Sequence, residues 1–198
     1  MMEILVENLT LNFLETKCES GKNILNLLDK EHQEFLHLTN GGLFFNNSLM
    51  LYGFSTINQL SIEGSTFAFK ASFQDILPID FILIGQDIFA NQFFCIKSMY
   101  YFLDMETLEI TFMGNSFKEF VDVLIEDIDF YSGRSFSFML SKPTDRLLPK
   151  LYFVLGGEYE SANLFKSRFP DYFDYYHNIA KQIQGKSDGT LYKLILEE

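Results

Sequence analysis

The chain has 198 residues, 47% hydrophobic and 17% aromatic, with a formal net charge of −12. That length is enough for one domain burying roughly 70% of its unfolded surface, so folding requires neither metal nor disulfide. The excess of 27 acidic over 15 basic residues repels phosphate backbones and excludes direct nucleic-acid binding as the expected activity, while it attracts a basic protein partner at long range.

The N-terminal part, residues 1–39, reads as helical. Glu3 to Lys17 has a mixed apolar pattern, and Ser20-Gly21-Lys22 breaks it. From about Asn23 to Thr39, Ile24, Leu27, Leu28, Phe35, Leu36 and Leu38 follow helical spacing. Asn40-Gly41-Gly42 is a helix stop. Leu49 to Phe54 reads as a strand, and Asn58 to Pro78 as a helix or loop without clear caps. Phe81-Ile82-Leu83-Ile84 is a continuous apolar strand, turned by Gly85-Gln86-Asp87, and Asn91 to Ile96 returns. Tyr100–Leu103 and Leu108–Phe112 flank a four-residue hairpin loop, Asp104 to Thr107.

Ser116-x-x-Glu119 is a capping box, followed by the apolar stripe Phe117, Phe120, Val121, Leu124, Ile125 and Ile128. That predicts a helix over 116–129. A short helix is expected around Ser135 to Leu140, and Tyr152–Leu155 reads as a buried strand. The last helix starts at Pro170, with Phe173, Tyr176, Ala180 and Ile183 on its inner face, and ends at Gly185. Leu191 to Leu196 reads as a closing strand. There is no internal repeat, linker or low-complexity tract. The expected fold is a single α+β domain over 1–198, with a central, mostly antiparallel sheet packed by helices.

Near the C-terminus Leu148-Pro149-Lys150-Leu151-Tyr152-Phe153-Val154-Leu155-Gly156-Gly157-Glu158-Tyr159 precedes Asn163-Leu164, then Ile179-Ala180-Lys181-Gln182-Ile183 and Asp188-Gly189. The order and spacing of these pieces resemble the C-terminal half of the SUKH superfamily, the Smi/Knr-like proteins. Asn40-Gly41-Gly42 after a helix and the Asp104–Thr107 turn resemble the same family. The resemblance covers the chain from about Asn40 onward and leaves 1–39 less well matched. It departs at Leu108, where a glycine is usual, at Tyr152 and Ser187, where prolines are, and at Phe120, where tryptophan is frequent.

The resemblance implies a non-catalytic protein-binding module. Many bacterial members are immunity proteins that bind and neutralise toxin domains, often nucleases, of polymorphic or contact-dependent systems. A fungal relative acts as a regulatory scaffold linked to cell-wall synthesis, which is the alternative implied here. Gly41, Gly42, Gly156, Gly157, Glu158, Asn163, Gln182 and Gly189 match as fold determinants rather than binding residues.

The residues themselves give no catalytic motif. His32 and His37 are five apart and so on different helix faces, and His177 stands alone. There is no His-Glu-x-x-His, Cys-x-x-Cys, Gly-x-Ser-x-Gly or phosphate-loop pattern. Cys18 and Cys95 form no paired motif, so no disulfide scaffold is expected. No metal, cofactor or catalytic site is expected. No apolar run approaches the ~18 residues of a membrane span, and Met1 to Glu7 lacks a basic leader region, so a soluble cytoplasmic protein is expected. The 23 Phe admit two readings, genome composition or an aromatic patch for a partner.

One charged constellation stands out. Glu119, Asp122, Glu126 and Asp129 recur at spacings of three and four, with Asp127 among them. On one helix they form an acidic ridge opposite the apolar stripe. The bland reading is a solvated face. The functional reading is a ridge offered to a basic partner, expected to be a toxin domain.

Overall fold

The chain between Gly42 and Gly114 carries short apolar strands joined by tight turns, with one helix, Ile62–Phe73, set between the second and third of them, and in the computed structural model those strands pair in chain order. The structure describes residues 2–13, 22–54, 60–77, 80–150 and 159–186. Its main sheet runs β1 (Leu9–Asn12), β2 (Gly42–Phe44), β3 (Leu49–Leu51), β4 (Ile82–Gln86), β5 (Gln92–Ile96), β6 (Met99–Leu103) and β7 (Ile110–Gly114). Every neighbouring pair is antiparallel. A second sheet pairs β8 (Arg146–Pro149) with β9 (Leu164–Ser167). This is a single α+β domain built on an antiparallel sheet, as the sequence predicts.

Turn chemistry sets the register. Lys97 and Ser98 both have positive φ, 49° and 63°, which matches the twist a two-residue hairpin needs between Ile96 and Met99. In the next hairpin the Asp104 carboxylate accepts from the amides of Glu106 and Thr107. Leu108 then sits at φ 59°, the left-handed region that favours glycine.

Helices cover both faces of the sheet. They are α1 (Met2–Glu7), α2 (Lys22–Leu25), α3 (Lys30–Thr39), α4 (Ile62–Phe73), α5 (Phe117–Glu126), α6 (Ile128–Ser132) and α7 (Asp171–Ile183). Adjacent residues on β5 show the layering. Phe93 meets Phe120 of α5, ring centroids 5.5 Å apart. Phe94 turns the other way to Phe81, which leads to Phe69 of α4 and on to Phe173 of α7. A smaller apolar cluster of Ile88, Phe89, Leu147 and Leu164 lies under the second sheet.

Several expectations need correcting. The N-terminal part is not wholly helical, because Leu9–Asn12 pairs with β2 as a strand. The helix expected over 23–39 is two helices, because Asp29 turns extended (ψ 168°) and caps α3. Residues 116–129 do not form one helix. Asp127 leaves helical geometry, closes α5 and caps α6 by accepting from the Phe130 amide. The strand before Asp87 runs through Gln86 rather than turning at Gly85. The short helix expected near Ser135 is a 3-10 turn, Arg134–Met139. The unreadable stretch after Asn58 holds α4, capped by Ser61. Tyr152–Leu155 and Leu191–Leu196 lie outside the described residues.

Candidate functional site

The expected ridge is spent largely on local structure. Ser116 Oγ accepts from the Glu119 amide, and the Glu119 carboxylate accepts from the Asn115 amide at 2.8 Å, one residue before the position a capping box uses. Asp122 pairs with Lys118 at 2.8 Å, one turn back along α5. Glu126 is exposed near the end of α5. Asp129 lies on α6, beyond the break, where both its carboxylate oxygens take the Arg134 guanidinium, at 2.6 and 3.2 Å. The structure therefore brings Glu119 and Asp122 together and separates Asp129 from them.

Asp129 instead lines an open groove of about 630 Å³. Residues 7–10, from α1 into β1, line it together with Phe45 and Asn46 after β2, and Asp129, Arg134 and Ser135. Phe45 and Asn46 have φ 49° and 56°. For a phenylalanine that geometry costs on the order of 1–2 kcal/mol, held here by burial of the ring and by its amide donating to the Asn8 carbonyl. α1 packs against α5, and Glu7 at its end lines the groove together with Asp129. Beside Asp129, Phe130 is 63% exposed, and Phe138 is 75% exposed. Sequence reading misses this groove because its parts lie far apart in the chain. The only available signal was an acidic run that ends in Asp129-Phe130.

The groups suited to chemistry are closed into the core. His32 is stacked on Phe117, with centroids 4.1 Å apart, and its Nδ1 lies 3.2 Å from the Tyr100 hydroxyl. Burial drops its pKa to about 3. Burial pushes the Cys95 thiol up to about 11, so it is no thiolate; Cys18 lies outside the described residues. His177 stands 3.3 Å from Asp75, which also takes Lys181. His37 is exposed on the outer side of α3. Among the described residues no cluster of His, Cys, Asp and Glu is arranged to hold a metal, and no helix is long and apolar enough to cross a membrane.

A buried polar centre joins the two sheets. Asp87 accepts from the amides of Phe89 and Asn91 and from Asn91 Nδ2, each at 2.8 Å. Burial still pushes its carboxyl up to about 7, against those bonds and the nearby Arg146. Arg146 on β8 is fully buried, with Nη1 donating to the Asp145 carbonyl at 2.6 Å. Its Nε and Nη2 have no hydrogen-bond partner among the described residues. This centre ties the end of β4 to β8 and α7. Nothing in the sequence marks it, because a buried Arg or Asp carries no periodic signal.

The motif residues take structural positions. Gly41 has φ 77°, and a Cβ there would meet Leu51 O at 2.5 Å. At Gly42 a Cβ would meet Leu11 O at 2.6 Å. Asn163 ends a 3-10 turn, and its carbonyl accepts from the Lys150 amide. On α7, Gln182 Nε2 donates to Asn178 Oδ1 at 2.6 Å. Gly156, Gly157, Glu158 and Gly189 lie outside the described residues.

No known protein-family profile matches the chain, and no curated protein does. Among solved structures it is similar to Atu4351 from Agrobacterium tumefaciens, with a TM-score of 0.63 and 14% identity over 89% of this chain and 88% of that one. At that identity the likeness is one of fold.

Proposed function

We propose that this protein is a non-catalytic binding module of the SUKH type, an immunity protein that occupies and neutralises a basic toxin domain in the cytoplasm. The observation that carries the reading is the make-up of the groove region. Glu7 and Asp129 outnumber Arg134 in its lining, and the exposed ring of Phe130 adjoins Asp129 along the chain. Acidic side chains around an exposed aromatic are suited to steering and anchoring a basic protein. The net charge of −12 extends the attraction over the whole surface. The motifs from Leu148 to Gly189 supply the family resemblance. The enclosure of His32, Asp87 and Cys95 favours binding over catalysis.

The test is protection. The reading expects a toxin domain to be encoded by a neighbouring gene, and such a domain is expressed in a host with and without this protein. The reading expects growth to be restored by the wild-type chain, and complex formation to be recovered on co-purification. Unrestored growth with both proteins present and soluble would overturn it.

A further inference from the structure

The groove exposes a strand edge as well as charge. β1 is the end strand of the main sheet among the described residues. Leu9 stands opposite Phe44, and the Phe45 amide donates to the Asn8 carbonyl at 3.0 Å. In an antiparallel ladder that bond makes Leu9 and Phe44 a non-hydrogen-bonded pair. The N–H and C=O of Leu9 therefore point away from β2, and Leu9 lines the groove. Thr10, Leu11 and Asn12 continue the exposed edge, with Leu11 51% exposed. An edge is ordinarily protected by a Lys, a Pro or a bulge. Leu9–Asn12 contains neither Lys nor Pro, and its one irregularity lies between Leu9 and Leu11, which keeps the open stretch short.

We infer that the outer edge of β1 at Leu9 is a docking strand, and that its occupant is a short extended segment of the protein partner with Lys or Arg at alternate positions. This rests on the protein-binding reading above and names the contact. Alternation follows from strand geometry: every second side chain of an added strand falls on the same face. Basic side chains on that face meet Glu7 and Asp129 in the groove. A second copy of this chain is disfavoured as occupant, because two surfaces of net charge −12 repel.

The probe is a capped seven-residue peptide of alternating lysine and valine, added at millimolar concentration to the full chain. Its controls are the glutamate–valine counterpart and two lysine–valine peptides N-methylated on alternate residues in opposite phases. Backbone amide shifts and hydrogen exchange at Leu9 are the readouts. The lysine–valine peptide is expected to shift the Leu9 amide and slow its exchange several-fold. The glutamate peptide should do neither, and one N-methyl phase should abolish the effect while the other keeps it. Glu7→Gln should weaken binding several-fold with the remaining shifts in place, which controls for folding. No change at Leu9, equal effects from both N-methyl phases, or equal binding of the glutamate peptide would each overturn the inference. Toxin protection by the same chain without a Leu9 response would sink strand docking alone. A Leu9 response without toxin protection would sink the immunity reading alone.

Discussion

The carboxylate of Asp29 bonds the amide of Phe117, 88 residues away, at 2.6 Å, while its other oxygen takes the His32 amide at 2.8 Å. One side chain thus caps the N-termini of α3 and α5 and pins these helices together on one face of the sheet. A single cap is worth ~1 kcal/mol, and the bonds here are charge-assisted. Asp29→Ala is expected to cost about 2–4 kcal/mol, read as a lower urea midpoint with an unchanged slope. A loss no larger than a solvent-exposed cap gives would mean the bridge to α5 contributes nothing.

Stability should depend on pH through two opposed groups. His32 has its pKa lowered from 6.5 to about 3. Between those values the unfolded chain binds a proton that the folded one refuses, so stability is lost as pH falls. Asp87 has its pKa raised from 3.8 to about 7. Between those values the folded chain keeps a proton that the unfolded one has released, so stability is lost as pH rises. Each slope is ~1.4 kcal/mol per pH unit, and they cancel where the windows overlap, between 3.8 and 6.5. Asp87→Asn should uncover the His32 slope, with stability falling towards acid. His32→Gln should uncover the opposite slope. Urea midpoints at several pH values compare the three proteins, and three identical slopes would refute the assignment.

Two glycines of like backbone should respond differently to alanine. Gly41 and Gly185 have φ 77° and 76°. A Cβ at Gly41 meets backbone at 2.5 Å, whereas at Gly185 it meets nothing within 4 Å. Gly185→Ala should cost only the left-handed strain, ~1 kcal/mol. Gly41→Ala should cost roughly 2–4 kcal/mol, because the β3 backbone must move. Thermal unfolding of both variants checks the difference.

The sequence made some elements legible and hid others, for physical reasons. β4 to β6 are continuous apolar runs ended by polar turns, and α5 opens with a capping box, so local chemistry alone specifies them. The strand at Leu9–Asn12 was hidden because it is only four residues long: its Leu-Thr-Leu-Asn alternation is too brief to stand out from the helical pattern around it, and it is mostly exposed. The breaks at Asp29 and Asp127 were hidden because an Asp inside a helical pattern reads as a surface residue until its side chain is seen to cap. Leu108 shows the reverse case: it stands where the resembling family has glycine, and the backbone there is left-handed. The groove and the Asp87–Arg146 centre depend on contacts between distant segments, which periodicity does not carry.

The exposed ion pairs should matter for association and little for folding. Asp122→Asn breaks a pair with the exposed Lys118 and should change stability by less than about 0.5 kcal/mol. Arg134→Gln releases Asp129 and makes the groove more negative. It should speed association of a basic partner several-fold at low salt, with little change in dissociation. Stopped-flow mixing separates the two rates.

The central claim, that an acidic groove receives a basic protein, is tested most directly by the association rate of the toxin domain that the account expects a neighbouring gene to encode. The rate is measured at low and high salt for the wild-type chain and for Glu7→Lys/Asp129→Asn. Wild-type association should be fast and fall steeply with salt, while the double variant should be at least tenfold slower at low salt and nearly insensitive to it. Identical rates and identical salt dependence in the two proteins would contradict the account.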